Sequence, residues 1–136
     1  MHKDFSSINS VIPILVSDEH NNILYKMPSL NEIKEVVFDL DPYSAPGLDG
    51  FTDLFFRHCW NIMGRQVCEA VRSFFISGTL ISGMNASIMT LIPKSNNASQ
   101  VENFLPNVLS NFIYKIITRI ILDRMSIVVM DVIAAP

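Results

Sequence analysis

Between Pro42 and Gly50 the sequence reads PYSAPGLDG, two prolines and two glycines in nine residues, and no α-helix can run through it. Each proline removes a backbone donor and clashes with the turn before it, while Gly47 and Gly50 permit positive φ. Asp49 can accept backbone N–H bonds, so the stretch predicts a tight, non-helical corner. Apolar residues recur at helical spacing on both sides of it, so the corner sets the angle at which one apolar-faced helix meets the next. Pro46, Gly47, Asp49 and Gly50 therefore read as a structural motif. Asp49 is a turn former and helix-start acid; a lone carboxylate with no partner in sequence is a poor catalytic candidate.

Ahead of the corner, Ser29-Leu30-Asn31-Glu32 fits a capping box, and Leu30, Ile33, Val36, Val37 and Leu40 share one helical face. This predicts a helix over Ser29–Leu40. Beyond the corner, Thr52 or Asp53 can cap a helix over Asp53–Ile62 bearing Leu54, Phe55, Phe56 and Trp60. Gly64 is read as a separator, followed by a helix over Gln66–Ile76 and by Gly78 as a left-handed cap. Ala86 to Ile92, ASIMTLI, lies between Asn85 and Pro93 and predicts a buried strand, extended over 87–92, with KSNNASQVEN as the loop after it. A last helix over Asn111–Met125 carries a wide stripe of Phe112, Ile113, Ile116, Ile117, Ile120 and Ile121. The tail SIVVMDVIAAP fits a helix or a strand. Residues 1–28 show no regular face and form a lead-in, with DEHNN as its clearest turn signal. The fold class is α+β, predominantly helical, with one or two short strands.

Composition narrows the chemistry. The chain has 136 residues, 49% of them apolar, enough for a core, and a net charge of -3. Residues 1–53 hold three lysines against nine acids, and residues 54–136 hold seven Lys or Arg against four. The second part is the anion-facing candidate, yet an acidic chain is ill suited to gripping a phosphate backbone tightly. Cys59 and Cys68, with scattered His2, His20 and His58, match no zinc spacing and no disulfide framework, which predicts no metal site and a reduced, intracellular protein. Residues 73–93 are uncharged and long enough to span a bilayer as a helix, but glycines, Asn85, serines and threonines interrupt the run, so no membrane span is expected.

Three segments, PSLNEIKEVVFDLDPYSAPGLDGFTDLFFRHCW, FFISGTLISGMNASIMTLIPKSNNASQVENF and VLSNFIYKIITRIILDRM, resemble in order and spacing the opening of the reverse transcriptase domain of non-LTR (LINE-type) retrotransposons, most similar to those abundant in plants. The likeness covers roughly residues 28 to 133. PGLDGF resembles the family's Pro-Gly-x-Asp-Gly-Phe element, LIPK its first fingers strand, and NFLPNVLSNFIYKI a damaged Phe-Arg-Pro-Ile-x-Leu segment. The resemblance implies an incomplete reverse transcriptase fingers region over residues 29–136, palm absent, after the lead-in at 1–28. It implies that Lys94, ending LIPK, faces incoming nucleotide phosphates, and that intact relatives bind an RNA template and DNA primer, use magnesium and work in the nucleus. Two departures weaken that chemistry: Leu105 stands where the family has arginine and Asn107 where it has isoleucine. Leucine offers neither charge nor donor for a bidentate phosphate clamp. Polymerisation also needs paired carboxylates holding two metal ions, and the acids after Lys94 are only Glu102, Asp123 and Asp131, with no aromatic-x-Asp-Asp turn. The expectation is a retrotransposon polymerase fragment without catalytic residues, metal or cofactor of its own, and with weak or no nucleic-acid binding. The alternatives are a helical interaction module using exposed apolar faces and, less favoured, a single-span membrane protein.

Overall fold

The computed structural model describes residues 15–134, which fall into two compact units: residues 27–120, and residues 15–26 with 121–134. In chain order the elements are α1 (Asp18–Tyr25), α2 (Leu30–Asp39), α3 (Asp53–His58), α4 (Trp60–Ser77), β1 (Ser87–Pro93), a 3-10 turn (Val101–Asn103), β2 (Phe104–Ser110) and α5 (Phe112–Ala134). The strands pair antiparallel in a two-stranded sheet, Ser87 opposite Ser110 and Pro93 opposite Phe104. The chain is thus α+β and mostly helical.

The larger unit starts from the capping box. Ser29 Oγ accepts the Glu32 N–H at 3.0 Å, and Glu32 Oε2 accepts the Ser29 N–H at 3.3 Å, which occupies two orphan donors at the start of α2. Ile33, Val36 and Val37 are buried along its inner face. No basic residue stands in the last turn of α2; Arg57 of α3 supplies the cation instead, donating from Nε to the Val37 carbonyl at 3.2 Å and from its terminal nitrogen to the Leu40 carbonyl. The core is completed by Phe56, Val67, Cys68, Val71, Phe112, Ile116, Ile117 and Ile120. Phe56 and Phe112 stack with centroids 3.8 Å apart, joining α3 to α5.

In the smaller unit, DEHNN is helical rather than a turn. Ser17 forms a second capping box, its hydroxyl accepting the His20 N–H while His20 Nδ1 accepts the Ser17 N–H, and Asp18 and Glu19 favour the positive end of the helix dipole. Arg124 is buried and donates to the carbonyls of Leu24 and Lys26 at the far end of α1. The structure of the rest of the lead-in, residues 1–14, lies outside the described residues, as does that of residues 135–136.

Two further expectations are corrected. Gly64 does not separate helices: the break falls at Cys59, and α4 runs from Trp60 through Gly64 to Ser77, where Gly78 caps it at φ 67°. A Cβ on Gly64 would sit 2.7 Å from the Trp60 indole, so close ring packing explains this glycine. The strand over 87–92 exists but is exposed at every position except the half-buried Thr90, with β2 paired along one edge. Residues 73–93, where no membrane span is expected, hold the end of α4, the Gly78 cap and β1, and no helix of the described residues is long and apolar enough to cross a membrane. The tail, left open between helix and strand, continues α5 to Ala134.

Gly64→Ala should test the packing account. In an ordinary helix interior the change stabilises by about 0.5 to 1 kcal/mol, but overpacking against the indole should reverse the sign, at a cost of about 1 to 3 kcal/mol. Urea unfolding followed by the emission of Trp60, the chain's one tryptophan, measures the sign directly.

Candidate functional site at the corner and the hairpin

The nine-residue break is a sequence of small hydrogen-bonded turns. Asp41 Oδ1 accepts the Tyr43 N–H at 3.0 Å, the Gly47 carbonyl accepts the Gly50 N–H at 3.1 Å, and Asp49 Oδ1 accepts the Phe51 N–H at 3.2 Å. Asp49 is thus the turn former expected of it. Thr52, not Asp53, caps α3, its hydroxyl accepting the Phe55 N–H. Gly50 uses its freedom at φ 73°, whereas Gly47 stays outside the positive region. Gly47 is needed for another reason: a Cβ there would lie 2.5 Å from Asn111 Oδ1 and 2.6 Å from the Asn111 backbone nitrogen.

Asn111, where β2 passes into α5, turns that close approach into a junction. Its Oδ1 accepts the Asp49 N–H at 3.3 Å, and its Nδ2 donates to the Gly83 carbonyl at 3.1 Å, in the turn that precedes β1. One side chain therefore ties the corner to the root of the hairpin. One helical turn on, Lys115 Nζ lies 3.2 Å from Asp53 Oδ1 and donates to Ser44 Oγ at 2.8 Å and to the Ala45 carbonyl at 3.2 Å. Ser44 donates in turn to Asp53 Oδ2 at 2.7 Å. Asp53 is only 1% exposed and Lys115 only 19%, so this is a buried, fully hydrogen-bonded ion pair. Sequence reasoning passed over Ser44, Asn111 and Lys115; the available signal was a cation between Phe112 and Ile116 on an otherwise apolar stripe.

Lys94 stands at the opposite end of the hairpin. Its N–H donates to the Asn103 carbonyl and its Nζ to the Glu102 carbonyl, each at 2.8 Å, so it closes the loop between the strands while remaining exposed. Leu105 faces Ile92 across the ladder and is 51% exposed. Seven strand residues at about 3.3 Å each separate Lys94 from the hairpin's root, roughly 20 Å, so Pro46, Gly47, Asp49 and Gly50 do not converge with Lys94 on one pocket.

Among the described residues the carboxylates do not form a cradle for a metal ion. Asp53 is held by Lys115 and Ser44, Asp39 by Arg119 at 2.7 Å, Glu69 by Arg65 at 3.0 Å, and Asp49 by its own turn. Among the described residues no three His, Cys, Asp or Glu side chains come together as a metal site. The residues present do not fit a two-metal centre.

No family model matches the chain. It is similar to the Transposon TX1 uncharacterized 149 kDa protein of Xenopus laevis, 27% identical over 119 residues. The match takes in 88% of this chain and 9% of the length of the frog protein.

Lys115→Met should be the most damaging single change at the corner, costing about 3 to 5 kcal/mol because it strands the Asp53 carboxylate in the interior. Pairing it with Asp53→Leu should recover most of the loss, and denaturant unfolding of the two single variants and the double variant measures the coupling.

Proposed function

We propose that this chain is the fingers portion of a retrotransposon RNA-directed DNA polymerase, of the kind the motifs liken to plant elements. The observation that carries the reading is PGLDGF, LIPK and NFLPNVLSNFIYKI in family order along a mostly helical chain, with LIPK on one strand of a two-stranded hairpin. The 27% likeness to a transposon protein along most of the chain supports it from an independent direction. In this reading residues 29–136 are the partial domain, and the corner holds the hairpin's root while Lys94 meets nucleotide phosphates at its tip.

The chemistry of Lys94 is that of a point charge. One of its three donors rests on the Glu102 carbonyl, which leaves two for a phosphate oxygen. Leu105 contributes no second cation, so the grip is half of what the family pattern provides. Catalysis needs a carboxylate cluster that the described residues do not form, and Lys94 positions a substrate that none of them activates.

One observation favours a second reading, an interaction module. Ile88, Ile92 and Leu105 share one face of the hairpin and Met89, Leu91 and Val108 the other, and all six are exposed. A two-stranded hairpin apolar on both faces is a layer suited to being covered. As fingers, it is covered by more of the same polymerase; as a module, by a separate protein.

Three measurements test the polymerase reading. Primer extension on an RNA template with magnesium or manganese should stay at the no-protein level, for the unaltered chain and for Lys94→Ala alike. RNA–DNA duplex binding should be no tighter than the non-specific range, about 10⁻⁴ to 10⁻⁶ M at physiological salt. Leu105→Arg should strengthen triphosphate binding, and Lys94→Ala should remove that gain. Extension that requires the chain, nanomolar duplex binding, or triphosphate affinity indifferent to both substitutions would overturn it.

A further inference from the structure

Six of the seven basic residues after Asp53 are already engaged. Arg57 and Arg124 hold helix-end carbonyls, Lys94 holds the Glu102 carbonyl, Lys115 holds Asp53, Arg119 holds Asp39 and Arg65 holds Glu69. Arg72 is the exception: no hydrogen bond or ion pair ties it down among the described residues, and it is exposed on α4. It borders a cleft of about 530 Å³ between α2 and α4, within the size range of small-ligand sites.

The lining sorts by chemistry. Leu30, Trp60 and Gly64 form the apolar part, with the indole half-buried against Gly64 and edge-on to Phe38. Lys34 stands with Arg72 on the cationic side, 5.8 Å from the Phe38 ring and without a salt bridge among the described residues. The cleft's one carboxylate, Glu69, is neutralised by Arg65. A chain of net charge -3 thus lines one cleft with its one tryptophan and with two cations that form no salt bridge among the described residues. Cys68 lies in the wall, and burial pushes its thiol up, away from the nucleophilic thiolate. The cleft is equipped to bind, not to react.

We propose that this cleft binds a nucleotide unit, its base against Trp60 and its phosphate between Lys34 and Arg72. An aromatic wall beside cations is the combination that a planar base carrying a phosphate satisfies as one ligand. The volume suits one such unit better than a docked helix, which would need a long groove. The proposal goes beyond the polymerase reading, since its residues lie on α2 and α4 and none on the Lys94 hairpin. The unit has two possible sources, a free nucleotide or a single strand, and the shared chemistry is the base with its phosphate.

The test is titration of the full chain with AMP, with a short oligoadenylate and with inorganic phosphate, read by Trp60 fluorescence. Saturable quenching by AMP, by the oligonucleotide, or by both is expected, at affinities weaker than about 10 μM because the cations are solvent-exposed. Quenching by the strand alone assigns the strand as the source. Lys34→Gln and Arg72→Gln should each weaken binding about tenfold, while Lys26→Gln, the same charge change at an exposed position outside the cleft, should leave it unchanged, which separates this site from a general loss of positive charge. Both glutamine variants alter exposed positions, and circular dichroism checks that they remain folded. No saturable quenching up to about 1 mM, an equal response to inorganic phosphate, preferential binding of an acidic peptide, or insensitivity to both glutamine changes would overturn the proposal.

Discussion

The buried pair between Lys115 and Asp53 is the constraint on which the larger unit depends. Two charges taken from water are tolerated only if their remaining donors and lone pairs are met, and here Ser44 and the Ala45 carbonyl meet them. Those partners lie 62 to 71 residues from Lys115 in sequence, so the pair can be satisfied only when the corner, the start of α3 and the start of α5 are all in place. Apolar contacts such as the Phe56–Phe112 stack supply non-directional attraction across the same junction. The ion pair supplies register. A slip of one residue in α5 would leave Asp53 buried without its cation.

Asn111 extends that register to the sheet. By bonding both the corner and the turn at Gly83, it fixes where the hairpin leaves the helical core. Beyond that root its own ladder holds the hairpin together, and the Lys94 contact with Glu102 closes its tip. Cations in this protein mostly serve as clamps on carbonyls and carboxylates. This changes the meaning of the basic second part: charge that looks available for anions in the sequence is largely consumed by the fold.

Much of the architecture was legible because its signals are local. Ser29 and Glu32 announce α2, the periodic apolar residues of 112–121 announce α5, Gly78 announces the end of α4, and ASIMTLI announces β1. The misreadings share a cause as well. Gly64 was read from its backbone freedom, but its place follows from an indole ring one turn away. DEHNN was read from turn propensity, but Ser17 and His20 form a cap around it and Arg124 meets the carbonyls at its far end. The strand over 87–92 was read as buried from its apolarity, and burial is a property of neighbours rather than of a strand.

The candidate site divides along the same line. The sequence by itself determined that a tight corner stands between two helices, that Asp49 closes a turn there, that Lys94 ends a strand, and that arginine is missing at Leu105, because these follow from residue identity and nearest neighbours. Only the tertiary structure decided that Gly47 is kept small for Asn111, that Asp53 is spent on Lys115 rather than on a metal, and that Arg72 shares a cleft with Trp60 and Lys34. The physical reason is that hydrogen bonding and charge compensation are settled by distances of about 3 Å between groups far apart in the chain, and a one-dimensional pattern carries no information on which cation has already been used.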